Sequence, residues 1–115
     1  MEYAESNGVA QATQKRLKYD EKKLKDSING VLELKELKDP IGTVLMNRQL
    51  DQGLLLKKIS VPIGVIGVIF EARPDAMIQV ASLCIKSGNC AILKGGKETA
   101  NTNKVLFEII KNAVV

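Results

Sequence analysis

The 115-residue chain contains no histidine and no tryptophan. Without an imidazole, mechanisms that use histidine as a base and zinc sites with a histidine ligand are excluded from this chain. Two cysteines cannot build a metal cage, and nothing around Cys84 and Cys90 has the density of an exported disulfide scaffold, so both read as reduced thiols. Long apolar runs are missing too. The longest, Val61 to Phe70, carries Pro62, Gly64 and Gly67 and is too short to span a bilayer. Met1 to Gly8 holds Glu2 and Glu5 and no basic-then-apolar progression, so no secretory signal or transit peptide is read there and a cytoplasmic location is expected. Only four aromatic residues are present, which leaves little for stacking on single-stranded nucleic acid.

What is present is an ordinary globular composition, with 45% hydrophobic and 26% charged residues in a length that suits one domain. The net charge of +4 is not concentrated, since residues 1–60 and 61–115 each carry an excess of two. The cluster Lys15, Arg16, Lys18, Lys22, Lys23 and Lys25 is interleaved with Asp20, Glu21 and Asp26, as on a solvated helix face. Neither a nucleic-acid partner nor a membrane is expected.

Leu24, Ile28, Val31 and Leu32 recur at helical spacing behind Asp20, a candidate N-cap, and the pattern stops at Asp39 and Pro40. Gly30 is a weak point within it. Tyr3 to Leu17 reads as a further helical segment interrupted near Gly8. Residues 1–38 thus form a helical region. Thr43–Met46 and Leu54–Ile59, separated by Leu50, Asp51, Gln52 and Gly53, predict a hairpin over 43–60. The second run flows into Val61–Phe70, whose apolar content predicts a strand buried on both faces of a parallel sheet. A helix is predicted from Pro74 and Asp75 to Ile85, stopped by Ser87, Gly88 and Asn89. Cys90–Leu93 is a second buried strand, and Val105, Leu106, Ile109, Ile110 and Ala113 mark a last helix. Residues 61–115 therefore predict a βαβα half-Rossmann unit with parallel neighbouring strands. The fold class is α/β, a partial doubly wound parallel sheet with N-terminal helices and a hairpin. Such a sheet needs further strands to cover its edges, and a fragment is expected.

The dinucleotide fingerprint GxGxxG is absent. Ligands of open α/β sheets bind outside the carboxyl ends of the strands. Those ends here read Glu71, Ala72, Arg73, Pro74 and Lys94, Gly95, Gly96, Lys97, Glu98. Two glycines between two lysines suit the approach of a phosphate or phosphorylated ribose, or else a solvated turn with flanking charges. Arg73 could clamp a carboxylate or phosphate, or pair with Glu71 or Asp75.

The string VPIGVIGVIFEARPD over 61–75, then Lys86-Ser-Gly-Asn89, Leu93-Lys-Gly-Gly-Lys-Glu98 and Asp39-Pro-Ile-Gly42, closely resembles the gamma-glutamyl phosphate reductase (glutamate-5-semialdehyde dehydrogenase) family. Gly8 to Leu17 resembles that family's N-terminal helical region, so the likeness covers essentially the whole chain. The resemblance implies an aldehyde dehydrogenase-like cofactor domain and a hairpin of the kind found in its oligomerisation element. It implies reduction of L-glutamyl 5-phosphate by NADPH to glutamate 5-semialdehyde and phosphate in proline biosynthesis, in a homo-oligomer when the protein is complete, with glutamate 5-kinase as a candidate partner.

In that chemistry a cysteine thiolate attacks the acyl phosphate and the thioester accepts hydride. The resemblance places that cysteine in a later segment, so no catalytic residue is expected here and the chain alone should be inactive. Cys84 is expected in the core. NAD-using relatives in the broader superfamily carry Lys-Pro-Ser-Glu after the second strand, with Lys and Glu on the ribose hydroxyls. Aligning Lys94 puts Lys97 at that Glu, and the exchange agrees with a 2′-phosphate. Lys94, Gly95, Gly96 and Lys97 are therefore the expected NADPH-binding residues, and Arg73 the expected substrate-binding residue. Ala72 stands where those relatives have an oxyanion-binding Asn. A bifunctional synthase with a preceding kinase domain, and a non-catalytic binding module, are the alternative readings.

Overall fold

A computed structural model describes residues 17–114. Helix α1 spans Glu21–Glu36, and the Asp20 carboxylate caps it by accepting the Lys23 amide at 3.0 Å. The helix runs through Gly30 and ends at Leu37, in extended backbone ahead of Pro40. Apart from Leu17, the expected upstream segment Tyr3–Leu17 lies outside the described residues.

Strands β1 (Val44–Asp51) and β2 (Leu54–Ile59) form an antiparallel hairpin. The first strand is longer than its sequence suggests. Leu50 and Asp51 belong to it, because the reversal is confined to Gln52 and Gly53, where Gly53 takes φ +78° and the Asp51 carboxylate accepts the Gln52 amide at 2.7 Å. At the hairpin base the Ser60 hydroxyl donates to the Pro40 carbonyl and accepts from the Thr43 amide at 3.0 Å.

The expected strand Val61–Phe70 is shorter in the structure: β3 covers Val65–Ile69. Gly64, at φ +120°, turns the chain before it, and Pro62 can offer no ladder hydrogen. Asn89 fixes this corner by accepting the Gly64 amide at 2.8 Å, while the Gly64 carbonyl accepts from Cys90 at 2.9 Å. Helix α2 (Pro74–Lys86) follows with Pro74 in its first turn, and Gly88 at φ +68° ends the turn after it. Strand β4 (Cys90–Lys94) lies parallel to β3, pairing Val65 with Cys90 through Ile69 with Lys94. A 3-10 turn, Lys97–Thr99, leads into helix α3 (Ala100–Val114), which begins earlier than the apolar pattern from Val105 indicates.

Burial on both faces of the parallel strands is not observed. Side chains alternate across a strand, so Ile66, Val68, Ala91 and Leu93 share the face toward α2 and α3 and are half-buried. Val65, Ile69, Cys90, Ile92 and Lys94 share the other face and are exposed, Ile69 to 78%. Among the described residues helices cover one side only. Cys90 is thus exposed, contrary to the expected buried strand, whereas Cys84 is buried beside Met77 in the small core. Helix α1 packs on α2, and the Lys86 ammonium group donates to the carbonyls of Lys35 and Leu37 at the end of α1.

Candidate functional site

The parallel register brings the ends of β3 and β4 together. The Phe70 amide donates to the Lys94 carbonyl at 3.0 Å, so the ladder holds one residue beyond β3 and the two turns that follow leave the sheet side by side. On one turn Ala72 adopts φ +46° while only 4% exposed, and Arg73 stands immediately before α2 without capping it through its side chain. Lys94 ends β4, Gly95 and Gly96 form the second turn, and Lys97 opens the 3-10 turn. Arg73, Lys94 and Lys97 are exposed, and none of them forms an ion pair among the described residues. The alternative pairing of Arg73 with Glu71 or Asp75 is therefore not formed.

The glycines have a reason internal to the chain. A Cβ at Gly95 would collide with Asn103 Nδ2 and stand 3.3 Å from the Phe70 ring. One at Gly96 would collide with the Glu98 carboxylate. Both neighbours are held in place. Thr99, 1% exposed, accepts from Asn103 Nδ2 at 2.9 Å and donates to the Gly96 carbonyl at 2.9 Å. Glu98 Oε1 accepts the Ala72 amide at 3.1 Å, joining the two turns. Asn103 Oδ1 is buried and has no hydrogen-bond partner among the described residues.

Glu98, Thr99 and Asn103 were not among the residues the sequence picked out for binding. Threonine and asparagine four apart at the head of a helix are the local signal for them, a weaker one than paired cations at a strand end. Neither cysteine stands at this end of the sheet: Cys84 is in α2, and Cys90 opens β4, roughly 13 Å from Lys94 at the usual strand rise. A groove of about 390 Å³ between α1 and α2, lined by Val31, Leu34, Leu37, Ile78 and Leu83, contains no cation and lies elsewhere. The strand ends, with three unpaired cations, are the stronger candidate for an anionic ligand.

A parallel β-α-β-α unit preceded by an antiparallel hairpin defines the class, an α/β protein with an open parallel sheet. The chain is homologous over all of its length to gamma-glutamyl phosphate reductases, matching the N-terminal part of that enzyme. The protein of that name from Prochlorococcus marinus is 53% identical over 114 residues, which cover 99% of this chain and 26% of the relative. That from Ruminiclostridium cellulolyticum is 50% identical over the entire chain and 27% of its own length. Crystal structures of gamma-glutamyl phosphate reductase from Saccharomyces cerevisiae and Thermotoga maritima superpose with TM-scores of 0.90 and 0.91, at 42% and 34% identity. They match 97% and 98% of this chain and 29% and 27% of theirs. The chain thus spans about a quarter of the length of the curated relatives it matches. No protein-family model matches it.

Proposed function

We propose that the chain contributes part of the cofactor and substrate site of an enzyme that reduces L-glutamyl 5-phosphate to L-glutamate 5-semialdehyde with NADPH, in proline biosynthesis. Homology to gamma-glutamyl phosphate reductases over every residue supports the reaction. The observation that carries the site is the side-by-side exit of two turns bearing three unpaired cations, Arg73, Lys94 and Lys97.

The donor set fits a phosphorylated nucleotide. Lys94 and Lys97 are point charges on either side of the glycine turn, and a 2′-phosphate gains from both where a ribose hydroxyl gains from neither as strongly. NADPH supplies hydride to the reaction when bound. This chain's own share is to attract and orient: Lys94 and Lys97 toward the nucleotide phosphate, Arg73 toward an anionic group of the substrate. Cys84 and Cys90 both stand away from this end of the sheet, which supports the reading that the nucleophile is supplied by a part of the enzyme outside this chain. Glutamate 5-kinase as a partner, assembly into homo-oligomers and a cytoplasmic setting belong to the same reading. Among the described residues no helix is long and apolar enough to cross a membrane.

Titration of the chain with NADPH and NADH, followed by calorimetry, tests the site. NADPH should bind about tenfold more tightly, as expected of one charge-assisted contact, and Lys97→Glu should narrow or reverse the ratio. Equal affinities in the unsubstituted chain would remove Lys97 from the site.

A further inference from the structure

We propose that Glu98 is a positioning residue, which locks the Phe70–Arg73 turn to the Gly95–Gly96 turn and so fixes where Arg73 stands relative to Lys94 and Lys97. The nucleotide reading above enters only through the ligand used in one arm of the test. The lock itself rests on geometry.

Ala72 is a residue with a side chain in the left-handed region, at φ +46°, and it is buried. Such a conformation is uphill for alanine and persists where the surroundings determine it. The contact that determines it comes from 26 residues away, where Glu98 Oε1 accepts the Ala72 amide at 3.1 Å. The only other hydrogen bond between these two segments among the described residues, from the Phe70 amide to the Lys94 carbonyl, belongs to the end of the ladder and leaves the turns themselves untied.

The opposite turn is shaped to let Glu98 reach. Its carboxylate folds against Gly96, where any Cβ would displace it, and the Thr99 hydroxyl fixes the Gly96 carbonyl from below. Arg73 follows Ala72 directly, and its side chain makes no cap for α2 and no ion pair among the described residues, so its direction is set by the backbone it leaves. Glu98 therefore acts through Ala72 on Arg73. A ligand that shifts the Gly95–Gly96 turn shifts Arg73 through the same bond.

Amide exchange and amide shifts of the chain by NMR test the lock in the wild type, Glu98→Gln and Glu98→Ala. Glutamine keeps a carbonyl acceptor and should keep the Ala72 amide protected. Alanine should speed its exchange about tenfold or more and move the Arg73 amide, within an otherwise native spectrum. Ala72 exchange that is unchanged in folded Glu98→Ala overturns the proposal. Should that variant not fold, the wild type decides alone: an Ala72 amide exchanging as fast as that of its exposed neighbour Glu71 overturns it equally. On adding NADPH, Arg73 should move in the wild type and Glu98→Gln and stay still in Glu98→Ala. Equal Arg73 movement in all three overturns the transmission. If Gly95 and Gly96 do not respond to NADPH while Ala72 stays protected, the nucleotide reading falls and the lock stands.

Discussion

Asp20 shows how much one side chain can set. The hydrogen bond from the Lys23 amide, ahead of the attraction of the Lys18 and Lys23 charges, holds its carboxyl below its ordinary value. A carboxyl lowered by folding stabilises in full above its unfolded pKa, and that contribution disappears as pH falls through the lowered value. Acidification through that window should release the first turn of α1, read as faster exchange of the Lys23 amide, and Asp20→Ala should show the fast exchange already at neutral pH. Asp20 was legible because an aspartate ahead of an amphipathic run is a local signal. Glu98 was not. Its role depends on an amide brought from across the sheet and on a backbone conformation at Ala72 that the residue type does not encode.

At the scale of the element, β3 follows two substitution rules within five residues. Ile66 lies on the α2 side, in a groove it lines with Leu83 and Cys84, and is half-buried, whereas Ile69 is 78% exposed on the opposite face. Ile66→Ala should cost about 1 to 2 kcal/mol. Ile69→Ala should stay within about 0.5 kcal/mol, and urea denaturation of the two variants separates the cases. Uniform hydropathy from Val61 to Phe70 hid this difference, because an unbroken apolar run states no preference between faces. The same run hid the late start of the strand, which the Gly64 corner and its bonds to Asn89 and Cys90 decide. The helices were plainer: Asp20, Pro74 and Gly88 are boundary residues whose effect is exerted on their own neighbours.

At the scale of the whole molecule, the radius of gyration of 19.2 Å exceeds the ~13 Å of a compact domain of this length. The long dimension of 71 Å and a buried hydrophobic set that among the described residues is Ala72, Met77 and Cys84 describe the same condition. The parallel pairing and the α/β class were readable from strand and helix order. The openness was not, because burial belongs to the assembly of elements and the chain spans about a quarter of its relatives. One consequence is practical. The side of the sheet that no described helix covers carries the exposed Cys90, while the other thiol, Cys84, is buried. A maleimide should therefore label the native chain once, at Cys90, and twice only after denaturation, as intact mass would record. A dye attached there would dim or brighten as something settles on the sheet, giving the protein a built-in optical gauge without any residue being exchanged.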